Sequence, residues 1–281
     1  MKQALIAIFS LASLCGSAQG AWPKAKGEGF FKLSETIIVS ESFYTPEGTI
    51  RDIKTAGVYI SSFYGEYGLT NNLTAVAYVP FFFRNTINAQ EFTLSPNMEE
   101  ADEANSFGDV NLGLQYGILK KGPFVLSTSL VFGIPSGQTN GGNSQLLQSG
   151  DGEFNQILRV HAGYSFYPKP FYAAGYLGIN NRTNGFSDEF RAGLEAGTSI
   201  NSWFLALKMD WVESLQNGNA EASQTGIFSN NTEYISFGPE VAYNFKGGLG
   251  ISGSVLGAFK GQNILASPSI SLGVFYDLRR K

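Results

Sequence analysis

Along Phe107-Gly-Asp-Val-Asn-Leu-Gly-Leu-Gln-Tyr-Gly-Ile-Leu119, apolar and polar positions alternate without a slip. Val110, Leu112, Leu114, Tyr116 and Ile118 share one parity, and Asp109, Asn111, Gly113, Gln115 and Gly117 share the other. A period of two predicts a β-strand with one apolar and one polar face, since a helical period near 3.6 would scatter both sets around a cylinder. The run stops at Lys120-Lys121-Gly122-Pro123 and a second alternating run starts at Phe124.

The same pattern returns from Gly27 onward in about twelve segments. They are Phe30–Ser42, Thr55–Tyr67, Leu73–Arg84, the opening run, Phe124–Pro135, Asn155–Phe166, Phe171–Asn180, Glu189–Ile200, Trp203–Leu215, Glu233–Phe245, Leu249–Phe259 and Ser267–Leu278. Odd-numbered connections read as the longer ones, including 85–106, 136–154 and 216–232, and even-numbered ones as tight turns. About ten residues at ~3.3 Å each, tilted near 40°, cover the ~25 Å apolar band of an outer-membrane barrel. The pattern therefore predicts an all-β fold: a transmembrane antiparallel up-and-down β-barrel of about 12 strands, with short periplasmic turns and long extracellular loops.

The ninth segment points its apolar face at lipid. Trp203, Leu205, Leu207, Met209 and Trp211 form one stripe, with Lys208 and Asp210 on the other parity. A tryptophan at each end of an aliphatic stripe is the form of two interfacial girdles. Tyr116, Phe124, Tyr164, Phe166, Tyr243 and Tyr276 also stand near strand ends on apolar parities. In the last segment, Gly273…Tyr276-x-Leu278 resembles the signal read by the barrel-insertion machinery, although the chain ends on Arg279-Arg280-Lys281 rather than on an aromatic residue.

Composition agrees. Charged residues make up 15%, against about 25% for a soluble domain. Aromatic residues make up 14%, and mean hydropathy is −0.04. Alternating lipid-facing and lumen-facing positions cancel in just this way. A net charge of −4 without a basic stripe excludes a nucleic-acid partner. Residues 1–21 read as a cleaved signal peptide, with Lys2, an apolar run from Ala4 to Leu14 and small residues at 17–21; cleavage falls within 18–21. Leu14 before Cys15 departs from the lipoprotein pattern, so the mature chain is expected to have no cysteine. Residues 22–281 then form a single outer-membrane β-barrel domain, in contact with outer-membrane lipid.

No catalytic, cofactor-binding or metal site is expected. His161 is the single histidine, which removes a histidine-based metal site, and no Gly-x-Ser-x-Gly elbow or phosphate loop occurs. An outer-membrane phospholipase is the nearest enzymatic precedent, but the parity of His161 directs it into the lumen, where Ser165 is its in-strand partner candidate. Function should lie on that lumen parity: Asp109, Asn111, Gln115, Arg159, His161, Arg182, Glu189, Arg191, Glu195, Lys208, Asp210 and Glu240. Both signs on neighbouring strands read either as an ion-pair network bracing the barrel or as a polar constriction selecting small solutes.

Glu66-Tyr-Gly-Leu-Thr-Asn-Asn-Leu-Thr74, then Val79-Pro80, then Phe107-Gly-Asp-Val-Asn-Leu-Gly-Leu-Gln-Tyr116 resembles the outer-membrane barrel family named for a meta-pathway of phenol degradation. The resemblance implies a channel or transporter for a small, often aromatic or hydrophobic, solute and brings no catalytic residues. The alternative is a structural or surface-interaction barrel with a closed lumen.

Overall fold

In the computed structural model, residues 20–91, 98–219 and 229–279 are described. Twelve long strands make the wall: β1 Gly29–Tyr44, β2 Ile50–Gly68, β3 Leu73–Ile87, β4 Val110–Lys121, β5 Phe124–Ile134, β6 Asn155–Ser165, β7 Phe171–Arg182, β8 Glu189–Ile200, β9 Trp203–Ser214, β10 Glu233–Asn244, β11 Leu249–Gln262 and β12 Ser269–Leu278. Each pairs antiparallel with its neighbours in sequence, and β1 pairs with both β2 and β12, from Gly29↔Leu278 to Ile37↔Ile270. The sheet is thus a closed ring in which no long edge remains. No helix among the described residues is long and apolar enough to cross a membrane.

The alternation sorts as expected. Leu33, Leu114, Leu158, Leu177, Leu207 and Leu272 all face outward with large exposure, while Lys32, Gln115, His161, Glu195, Lys208 and Glu240 are buried in the interior. A soluble protein does not expose aliphatic side chains around a full circumference; in a bilayer this is the solvated face. Outward aromatics pair near the strand ends, with Trp203 edge-on to Tyr243, Tyr164 to Phe166 and Phe190 to Trp211.

Two sequence expectations about the connections change. The first outer connection is only residues 45–49, no longer than the periplasmic turn at 166–170, because Phe43↔Arg51 and Tyr44↔Ile50 continue the hairpin beyond the apolar band. The expected loop at 85–106 carries a strand, Asp102–Ser106, which pairs with Phe83–Ile87 of β3. β3 pairs with β4 only from Leu73↔Tyr116 to Tyr78↔Asn111. Pro80 then ends that ladder because it has no N–H to give. Part of the 216–232 loop, residues 220–228, lies outside the described residues, as do residues 1–19 of the expected signal.

Candidate functional site: the lumen

The periplasmic part of the lumen is filled by the segment that precedes β1. Gln115 Nε2 donates to the Gly20 carbonyl at 2.7 Å, and Ser127 Oγ to the Ala21 carbonyl at 2.8 Å. Trp22 stands edge-on to Tyr172, 5.7 Å between ring centroids. The Lys24 amide donates to Thr74 Oγ1 at 2.8 Å, and its ammonium lies 3.6 Å from Glu66, which also accepts the Tyr64 hydroxyl. Glycine makes the space: a Cβ on Gly163 would stand 2.7 Å from the Trp22 ring, and one on Gly68 would overlap the Ala25 carbonyl. Phe30, Tyr64, Phe204 and Phe275 pack beside this segment as an interior apolar cluster.

Above it, charges span the barrel. Lys208 Nζ lies 2.6 Å from Glu240 and 3.2 Å from Glu195, which directly face Lys208 or its strand neighbours across the β8–β9–β10 ladders. Lys32 approaches Glu240 at 3.7 Å, and the Tyr172 hydroxyl donates to Glu195. Charges this buried persist only when paired. On the same parity, the Arg159 guanidinium lies over the Tyr176 ring at 5.0 Å, and the Tyr176 hydroxyl donates to Asp210 at 2.9 Å. His161 Nε2 pairs with Ser129 Oγ at 2.9 Å across the β5–β6 ladder, rather than with Ser165 of its own strand. Ser127 is the residue directly opposite His161, and Ser129 is its diagonal neighbour, still within reach of a ring side chain, whereas Ser165, four residues along the same strand, lies about 13 Å away.

Towards the outside the lumen opens into a chamber of about 530 Å³. One wall is apolar: Ile38, Val58, Ile60, Pro80, Phe83 and Leu256. The other carries Asp109, Asn111, Asp151, Arg182, Glu189, Arg191, Asp210 and Tyr234. Arg182 holds three carboxylates, pairing with Glu153, with Glu189 at 3.0 Å and with Asp151 at 3.5 Å. Arg191 clasps Glu189 through Nε at 2.8 Å and Nη2 at 2.5 Å.

The 136–154 loop closes over this chamber, and Asp109 holds it. Its two carboxylate oxygens accept the amides of Gly137 at 2.8 Å and Asp151 at 3.0 Å. A second clamp lies further out, where Asp102 accepts the Asn143 and Ser144 amides and the Ser144 hydroxyl. Burial, reinforced by the charge of Asp151, pushes the Asp109 carboxyl up to about 6. Burial likewise pushes Glu153 up to about 8, outweighing Arg182. Asp102 is held below its ordinary value by the Ser144 hydrogen bonds, and Asp188 below its own by Asn217. Gly108 and Pro80, from two separate stretches of the family-like pattern, meet here: the Gly108 amide donates to the Pro80 carbonyl at 2.9 Å, and a Cβ on Gly108 would stand 2.6 Å from the proline ring.

All twelve residues assigned to the lumen parity thus face the interior or the chamber mouth, but in separate layers. Gln115 anchors the N-terminal segment; Glu195, Lys208 and Glu240 form the crossing charges; Arg159, His161 and Asp210 lie between; Asp109, Asn111, Arg182, Glu189 and Arg191 reach the chamber. Sequence reasoning missed the Gly20–Lys26 segment, Lys24 and Glu66, and the aromatic hydroxyls of Tyr172, Tyr176 and Tyr234. It also missed the apolar wall, whose signal was present: Ile37-Ile38-Val39 and Phe81-Phe82-Phe83 are apolar on both parities.

Solved structures share this scaffold. An outer membrane channel from Pseudomonas putida F1 superposes with a TM-score of 0.60 at 14% identity, over 95% of this chain and all of that one. The NanC porin gives 0.51 at 7%, over 89% and 100%. The β domain of the Bordetella autotransporter BrkA gives 0.51 at 14%, over 91% and 100%. At such identities the likeness fixes the outer-membrane barrel fold alone. No curated protein matches the chain. The sequence model described as "Putative MetA-pathway of phenol degradation" matches residues 37–272, and the chain belongs to that family of outer-membrane barrels.

Proposed function

We propose that the protein is an outer-membrane channel for a small solute with an aromatic or otherwise apolar body, taken up through the outer chamber. The observation carrying this reading is the two-sided lining. Ile38, Val58 and Ile60 offer apolar surface on the strands opposite Arg182, Glu189 and Arg191. A general porin lumen is polar throughout, whereas sites for apolar small molecules combine an apolar lining with a few placed polar groups in some 300–1,000 Å³. Channels and porins among the structural neighbours support the channel part of the reading.

The test is solute flux into liposomes together with single-channel current in planar bilayers. Wild type is expected to carry an aromatic solute faster than a sugar of equal size. Ile60→Asn should reverse that preference, and Arg191→Ala should change ion selectivity. Absence of both flux and current in every variant would sink the reading. The Gly20–Lys26 segment in the lumen favours a second reading, a closed structural barrel, and that silent outcome is what it expects.

A further inference from the structure

The outward face of β1 carries a feature the lumen does not use. Its stripe reads Phe31, Leu33, Glu35, Ile37, Val39, so a carboxylate interrupts the apolar band on the lipid side. That Glu35 faces outward is fixed by its neighbours. Ser34 bonds Ser62 and Thr36 bonds Ser271 on the lumen side, whereas Glu35 accepts the hydroxyl of outward Ser61 at 2.5 Å. Ionisable groups on a lipid-facing surface are costly and normally face a bundle interior or a cavity.

Glu35 borders such a cavity, on the outside of the wall. A groove of about 660 Å³ runs across the outer surface of β9 to β3, past Trp203, Tyr243, Ile251, Leu33, Leu272 and Val274 to Glu35 and Ser61. Its floor is low because Gly253, an outward position, sits next to Leu272, and Leu272 next to Glu35. An apolar trough of that volume with one acid at one end has the shape of a site for a chain with a single polar head.

We propose that this groove binds a membrane-dissolved amphiphile carrying a primary amine, its ammonium on Glu35 and Ser61 and its alkyl chain along the groove towards Trp203. Charge complementarity selects the amine over a second copy of the chain. Among the described residues, the outward stripes between the aromatic girdles hold no lysine or arginine that another barrel could present. Outward Arg84 and Lys260 stand at the outer rim and are already paired, with Glu103 and Glu213. The site is separate from the lumen and stands whether or not the barrel conducts.

Trp203 supplies the readout. In a Trp22→Phe, Trp211→Phe background it is the remaining tryptophan of the three, and the full-length barrel in nanodiscs is titrated with 11-bromoundecylamine, whose tail bromine quenches nearby indole. The matching bromo-alcohol and bromo-acid serve as controls. Saturable quenching by the amine at roughly ten-fold lower concentration than by either control is expected, as is its loss in Glu35→Gln. Gly253→Leu, which fills the floor and leaves the carboxylate, should abolish it too; heat-modifiable gel migration confirms that each variant is folded. Equal quenching by the three probes, or an unchanged titration in folded Glu35→Gln, would overturn the proposal. So would spontaneous disulfide dimers of Leu33→Cys in the membrane, which would give the groove to a second copy.

Discussion

Gly163 of β6 lies directly beneath the indole of Trp22, with room for a hydrogen and for no side chain: a Cβ there would stand 2.7 Å from the ring and 2.8 Å from the Ala21 methyl. The interior face of the wall is thus shaped to the segment that fills it. Gly163→Leu should expel Trp22 and raise single-channel conductance several-fold, as should deletion of residues 20–26. The same conductance in wild type and both variants would show that the segment does not limit the pore.

Lys208 answers two buried acids at once, Glu195 and Glu240. Removing one partner of a buried pair costs about 3–5 kcal/mol because the remaining charge is stranded. Lys208→Ala should lower the urea midpoint of the barrel in micelles accordingly. The quadruple change Lys32→Met, Lys208→Met, Glu195→Gln, Glu240→Gln should lose much less, since the cations and the acids they pair with are removed together. A midpoint unchanged in Lys208→Ala would mean that the acids are held in their neutral form.

The two loop clamps should respond to pH with opposite sign. Asp109 titrates near 6, above its unfolded value, so the folded clamp binds the extra proton; its contribution is full below about pH 4 and lost as pH rises through 6. Glu153, near 8, extends that loss upward. Asp102 is lowered, so its clamp is present above about pH 4 and fails as pH falls through its folded value. Hydrogen exchange corrected for intrinsic rate should show the Gly137 and Asp151 amides opening more at pH 8 than at pH 5. The Asn143 and Ser144 amides should instead open on acidification below pH 4. Parallel behaviour of the two pairs would refute the assignment.

Signal processing should leave Gly20 and Ala21 on the chain, because their carbonyls receive Gln115 and Ser127. Cleavage after Ala18 does so; cleavage after Ala21 removes both acceptors. The intact mass of the membrane-extracted protein should correspond to a chain starting at Gln19, and a mass starting at Trp22 would contradict this.

Much of the wall could be read from residues alone because strand period and barrel facing are one property: once Leu112 faces lipid, Asn111 must face the lumen. What escaped reading required ring closure. The chamber's apolar wall comes from β1 to β3 and β11 and its polar wall from the start of β4, the 136–154 loop and β7 to β10, elements that no local pattern relates. The run Gly20-Ala-Trp-Pro-Lys-Ala-Lys26 has no periodicity, since its contacts are to the wall around it rather than to a partner strand. Arg51-Asp52-Ile53-Lys54 looked like loop because it is polar on both faces, which is how a paired hairpin appears once it has left the membrane.

The N-terminal segment also has a consequence for the order of assembly. Its seats come from Thr74 on β3, Gln115 on β4, Ser127 on β5, Gly163 on β6 and Tyr172 on β7. None of these exists as a surface until five strands have curled around a common axis. Among the described residues, those that leave the ribosome first therefore find their full set of seats only after strands as late as β7 have been added to the wall.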